Sequence, residues 1–141
     1  MNSAKTAIMV DSGCDISQEF IEQYDIKVLR LKVLYGDRMY SDGLDIDPLE
    51  VYRRFPQEIP TTSTPNMYEV SELVNEIKSE GYEKIIGITI SSGLSGTYNA
   101  VAMAFEDTLL GASRQVFFNR ALPCHPHDYL VAGFEFRFLR H

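Results

Sequence analysis

Two runs of hydroxyl side chains hold the residues best suited to chemistry. The first is Pro60-Thr61-Thr62-Ser63-Thr64-Pro65-Asn66; the second is Ser91-Ser92-Gly93-Leu94-Ser95-Gly96-Thr97-Tyr98. Each directly precedes a helical pattern, and the second follows a buried-strand pattern. A loop that enters a helix points backbone N–H groups at whatever lies above it, and the helix dipole favours negative charge there. Two such loops converging would make a neutral, donor-rich pocket for an anionic oxygen, a carboxylate or a phosphate.

Other chemistries fit these residues less well. The Ser91–Tyr98 run lacks the Lys of a P-loop and the GxGxxG order of a dinucleotide fingerprint. Gly93-Leu94-Ser95-Gly96 is not a GxSxG elbow, because the second glycine follows Ser95 directly. The three histidines, His125, His127 and His141, all lie in the last segment, away from either loop. A polar turn whose hydroxyls only cap the next helix is the plainest alternative. The first run sits between two prolines that stiffen its backbone, which suits either a simple connection or a preorganised site.

Metal sites are weakly indicated. Asp11, Ser12, Cys14 and Asp15 cluster in sequence, but Asp15 reads as a helix N-cap and Asp11 as a strand-end or neighbouring-loop acceptor. Asp42, Asp45 and Asp47 alternate without the Gly and distal Glu of a calcium loop. Cys124, His125 and His127 are contiguous with prolines, as in an ordinary loop. Cys14 and Cys124 have no metal or redox spacing and read as free thiols.

The elements that must carry these loops are legible. Thr6 to Val10 reads as a short buried strand. Ile16, Phe20 and Tyr24 recur at helical spacing, with Asp15 as cap and Gln18 three residues on. Lys27 to Tyr35 has period two, with Leu29, Leu31, Val33 and Tyr35 on one face, then a Gly36-Asp37 turn and a return strand over Arg38-Met39-Tyr40. Asp47-Pro48-Leu49-Glu50 starts a helix, with Glu50 expected to close a capping box and Leu49, Tyr52 and Phe55 as its stripe. Asn66 and Glu69 cap another helix, whose buried face is Met67, Val70, Leu73, Val74 and Ile77, ended by Gly81. Ile85 to Ile90 reads as a strand buried on both faces. Tyr98, Val101, Ala102 and Phe105 continue as a helix, and Gln115 to Phe118 as a further strand. This order predicts an α/β fold, a mainly parallel sheet flanked by helices, with any ligand beyond the carboxyl ends of the strands.

After Asn119 the grammar changes. Residues 120–141 form an atypical tail in which Phe134, Phe136 and Phe138 alternate, as in a half-buried or edge strand.

Bulk properties narrow the partners. The chain has 141 residues, 45% hydrophobic and 23% charged, which suits one folded unit. A net charge of −7 argues against nucleic acid and against a polybasic membrane surface. No signal peptide and no apolar run of spanning length are visible, so a cytoplasmic, soluble protein without a transmembrane segment is expected.

Asp11-Ser12 with Asp15, the Pro60–Pro65 segment and the Ser91–Tyr98 segment together resemble the N-terminal lobe of a DegV-family protein. The likeness starts at the first strand and places the lobe over residues 1–119. It implies a two-lobed α/β architecture that holds a long-chain fatty acid in a tunnel between the lobes. The carboxylate would be bound by Thr62 and Ser95, with Ser63 and Ser92 as neighbours in the network. The resemblance further implies a lipid-binding protein and not an enzyme, with the fatty acid as ligand and no cofactor or metal. A fatty acid kinase partner would convert the presented acid to acyl-phosphate for phospholipid synthesis. Family members carry a second lobe, which has no counterpart here, and the tail departs from the family pattern. A truncated, frameshifted or non-functional product is therefore a standing alternative, as is a small α/β phosphate- or nucleotide-binding enzyme fragment.

Overall fold

The computed structural model describes residues 6–14, 16–108, 115–120 and 137–138, with side chains to Phe105. Asp15, Cys124, His125, His127, Phe134, Phe136 and His141 lie outside the described residues. The strands are β1 (Thr6–Asp11), β2 (Lys27–Leu29), β3 (Lys32–Tyr35), β4 (Arg38–Ser41), β5 (Thr61–Ser63), β6 (Lys84–Ile90), β7 (Gln115–Arg120) and β8 (Arg137–Phe138). The helices are α1 (Gln18–Tyr24), α2 (Pro48–Arg54), α3 (Met67–Ser79) and α4 (Thr97–Thr108), with one 3-10 turn over Ser12–Cys14.

A five-stranded sheet runs β2-β1-β6-β7-β8. Its first four strands are parallel, and β8 pairs antiparallel with β7 at one edge. The expected α/β architecture with a mainly parallel sheet is therefore present. Helices α3 and α4 cover one face: Val70, Val74, Ile77, Val101, Ala104 and Phe105 pack on Ala7, Met9, Leu29 and Ile85. The Phe105 ring lies over Gly87, where a methyl group would sit at ordinary contact distance, 3.6 Å from the ring. Strand β6 departs from expectation: Ile85, Gly87 and Thr89 are buried, but Ile86, Ile88 and Ile90 are only half-buried. Its β-branched run fits a strand with one well-covered face, because no buried residue of α1 packs on the other.

The period-two run from Lys27 to Tyr35 is not one strand. It breaks at Arg30-Leu31 and passes from the parallel sheet into a second, three-stranded antiparallel sheet, β4-β3-β5. A two-residue turn joins β3 to β4, with Gly36 at φ +57°, which glycine adopts without steric cost. A small cluster of Val33, Tyr35 and Ile46, flanked by Tyr40 and Val51, holds this sheet.

Capping matched the sequence unevenly. Asn66 and Glu69 form the reciprocal capping box of α3, at 2.9 and 3.0 Å. Helix α1 is capped by Ser17 and not Asp15: it begins at Gln18, and the Ser17 hydroxyl accepts from Phe20 N. Asp47 caps α2 as expected, but Glu50 closes no box there. Its carboxylate instead accepts from Arg54 one turn on, at 2.9 Å. The Leu49, Tyr52 and Phe55 stripe of α2 is exposed, and so are Phe20 and Tyr24 of α1.

Candidate functional site

Strand β6 ends at Ile90, and the chain turns through Ser91–Gly96 into α4. The turn is built on Ser91. Its carbonyl accepts from Leu94 N at 2.9 Å and Ser95 N at 3.1 Å, and its hydroxyl from Gly93 N at 3.2 Å. Ser95 Oγ then accepts from Thr97 N at 3.2 Å and lies 2.9 Å from Thr97 Oγ1. The amides of Gly93, Leu94, Ser95 and Thr97 are thus bonded inside the segment. This differs from the expected cradle of outward N–H groups: what the turn presents is hydroxyl. Ser92 and Leu94 are exposed and Ser95 is half-buried.

Part of the first hydroxyl run is a strand and not a loop. Thr61–Ser63 forms β5 on the edge of the small sheet, with Val33 opposite Thr62 and Lys32 opposite Ser63. Directly opposed residues share a face and consecutive ones alternate. Thr62 therefore stands on the Val33 face and Ser63 on the Lys32 face. Residues 61–64 are all exposed, whereas Pro65 is buried against the fold. The Ser63 hydroxyl donates to the Thr64 carbonyl at 3.3 Å.

The two segments meet at their helix-proximal ends. A methyl group on Gly96 would sit 3.6 Å from Thr64 Cγ2. Thr64 lies two residues before the cap of α3, and Gly96 immediately precedes α4. Two packed helices thus bring their N-termini, with their partial positive charge, to one rim of the molecule. Lys32 adds a tie: its ammonium pairs with Glu69 at 2.7 Å, joining the small sheet to the first turn of α3.

Beneath the rim lies Asp11, 1% exposed at the end of β1. Its Oδ2 accepts from Ile90 N at 2.6 Å, and Cys14 Sγ stands 3.8 Å from Oδ1. Burial pushes the carboxyl upward, and the bonds from Ile90, Gly13 and Cys14 only partly oppose this. The next residue, Ser12, accepts from Leu31 N through its hydroxyl at 3.0 Å. Of the two expected roles of Asp11, strand-end or neighbouring-loop acceptor, the structure shows a bond to the last residue of the neighbouring strand, Ile90.

The sequence assigned no role to two threonines, Thr97 within the second hydroxyl run and Thr89 before it. Thr97 is fully buried, and its hydroxyl partners Ser95. Thr89 is buried one residue before the end of β6, and its Oγ1 has no hydrogen-bond partner among the described residues. Their signal was only a hydroxyl at a strand end or helix start, which composition does not distinguish from a cap. Among the described residues no group of three or more His, Cys, Asp or Glu could hold a metal, and no helix is long and apolar enough to cross a membrane.

A parallel α/β lobe whose hydroxyl-bearing segments lead into adjacent helices is the class of protein that these features define. Residues 5–118 match the family model described as an uncharacterised protein of the DegV family. The chain belongs to the DegV family. It is 45% identical over 102 residues to a DegV domain-containing protein of Clostridium acetobutylicum, covering 72% of this chain and 36% of that one. Among solved structures, it resembles Bacillus subtilis DegV, described as a fatty acid binding protein, with a TM-score of 0.70 at 30% identity. That match covers 80% of this chain and 40% of the other. A stearic acid-binding protein of Eubacterium ventriosum matches with a TM-score of 0.69 at 30% identity, over 78% and 40% of the two chains. The chain thus spans well under half the length of these relatives, consistent with one lobe.

Proposed function

We propose that this chain binds a long-chain fatty acid by its carboxylate. In this reading Thr62 and Ser95 donate to the head group, and Ser63 and Ser92 complete the surrounding network. The observation that carries it is the approach of the two hydroxyl segments, Thr64 against Gly96, where α3 and α4 begin. The fatty-acid-binding descriptions of the structural relatives support the same ligand.

The chemistry is that of a holder. When the buried Thr97 hydroxyl donates to Ser95 Oγ, and Thr97 N does likewise, the Ser95 proton is left for an external acceptor. A carboxylate accepts such a proton in a strong, charge-assisted bond. Leu94, 53% exposed in the same turn, offers apolar surface beside the head group. The chain acts as a cytoplasmic carrier and performs no reaction on the acid. Presentation to a fatty acid kinase, which would form acyl-phosphate for phospholipid synthesis, completes the role.

Native mass spectrometry of the purified chain tests this, together with displacement of a fluorescent acyl probe by oleate. A retained acyl chain is expected. Thr62→Ala and Ser95→Ala should each weaken oleate by about 1 kcal/mol or somewhat more, at least fivefold in Kd. Unchanged affinity in both variants would remove the assigned site. A larger loss from Ser63→Ala than from Thr62→Ala would move the head group to the Lys32 face of β5.

A further inference from the structure

The two hydroxyl segments belong to different sheets, so something must fix their separation. Two consecutive residues, Asp11 at the end of β1 and Ser12 at the start of the 3-10 turn, touch the base of each. Asp11 Oδ2 accepts from Ile90 N, and Ile90 immediately precedes Ser91, on which the Ser95 turn is built. Ser12 Oγ accepts from Leu31 N, and Leu31 immediately precedes β3, the strand that pairs with Thr61–Ser63. The Leu31 carbonyl also accepts from Asp42 N at 3.0 Å, so this junction is bonded on both sides.

We propose that Asp11 and Ser12 are positioning residues: one clasp, bonded to Ile90 and Leu31, that sets the spacing of the Thr62 and Ser95 segments. The packing around the clasp is tight. A methyl group on Gly13 would lie 3.1 Å from Asp11 Oδ1, 3.5 Å from Leu31 Cδ1 and 3.9 Å from Ile90 Cδ1. The three segments therefore meet at the backbone of a single turn. Asp11 is held by the dipolar donors of Ile90, Gly13 and Cys14, so its role needs an acceptor oxygen and not a charge. Asparagine supplies one such oxygen, enough to accept from Ile90 N, while its amide NH2 cannot accept from Cys14 in place of Oδ1; alanine removes the Ile90 bond altogether.

The binding arm of the test rests on the fatty-acid reading; the exchange arm does not. Amide hydrogen exchange of the intact chain is compared in wild type, Asp11→Ala, Asp11→Asn and Ser12→Ala. Asp11→Ala should speed exchange at Ile90, Leu94 and Ser95 by about tenfold or more, with Val101 to Phe105 much less affected. Ser12→Ala should do the same at Leu31 and along β3, and it keeps the proposal testable if Asp11→Ala does not fold. Asp11→Asn, which keeps an acceptor for Ile90 N, should hold protection at Ile90, Leu94 and Ser95 close to wild type and far above that of Asp11→Ala. Oleate affinity should follow: about tenfold weaker in Asp11→Ala and within about threefold in Asp11→Asn. If Asp11→Ala and Ser12→Ala speed exchange uniformly across α4 and the turn, Asp11 and Ser12 serve global stability alone and the proposal falls. It falls equally if the wild type binds oleate and both alanine variants bind it as tightly. A wild type that binds no oleate removes the proposed function, and exchange alone then decides the positioning role.

Discussion

The two hydroxyl segments are rigid for different reasons. The Ser91–Thr97 turn sits on the parallel sheet, whose core includes Met9, Ile85, Val101 and Phe105, and it closes on itself through Ser91 and Ser95. The Thr61–Ser63 strand sits on a small antiparallel sheet over three buried residues, and its order comes from pairing with β3. One segment inherits the stability of the main core; the other depends on a satellite cluster and on ties such as Lys32–Glu69. A site assembled from both is only as well ordered as its weaker half, which places local opening on the Thr62 side.

Core truncation should break this contrast most strongly. Phe105→Ala should cost about 3–5 kcal/mol and destabilise both segments, because Phe105 is fully buried against Gly87 and Met9. Val33→Ala should cost about 1–2 kcal/mol, with faster amide exchange confined to β3, β4 and β5. Urea unfolding with residue-resolved exchange measures both, and equal global losses would erase the distinction.

A smaller effect is expected where the first segment enters α3. Asn66→Ala removes one half of the α3 capping box and should cost about 1 kcal/mol in urea unfolding. Its exchange signature should appear at the first turn of α3 and in Thr64. A loss spread evenly over the chain would argue that the two segments are coupled through the core and not through this cap.

The smallest effects are expected in pH dependence, and they have opposite signs. Burial raises Asp11 above its ordinary 3.8, so the folded state holds that proton more tightly than the unfolded chain. The ionised carboxyl therefore works against folding above its raised pKa, and that penalty is relieved as pH falls through it toward the ordinary value. For Glu69, burial pushes upward, but the bonds from Lys32 and Asn66 N outweigh it, leaving the carboxyl below its ordinary 4.5. Its contribution is present above that value and is lost as pH falls through the lowered pKa. From about pH 7 down to about pH 4, wild type should gain stability relative to Asp11→Asn and then begin to lose it relative to Glu69→Gln. Paired urea melts of the three proteins measure this; parallel curves would show that neither carboxyl is linked to folding.

Local patterns carried much of the fold into the sequence. The Asn66–Glu69 box, the Gly36 turn, the Asp47 cap and the stripe of Val70, Val74 and Ile77 depend on neighbours within a few residues, so spacing reveals them. The identities of Thr62, Ser63, Ser92 and Ser95 were equally visible as hydroxyls before helices, and the quoted motifs were enough to point to the DegV family. Long-range choices were not visible. Period two could not reveal that Leu29 and Val33 belong to different sheets, because both sheets use the same alternation. Nor could it reveal that Thr62 and Ser63 stand on opposite faces of a paired strand, or that the Ser91 turn consumes its own amides. Asp11 reaching Ile90 spans 79 positions, and no local spacing encodes such a bond. The sequence by itself determined the caps of α2 and α3, the strands of the parallel sheet and the positions of the hydroxyls, since those properties follow from side-chain chemistry over one or two turns; the Ser17 start of α1 and the pairing of Thr61–Ser63 as a strand were not among them. Only the tertiary structure decided which of those hydroxyls share a rim, because that depends on the crossing of chain segments that burial of the core brings together.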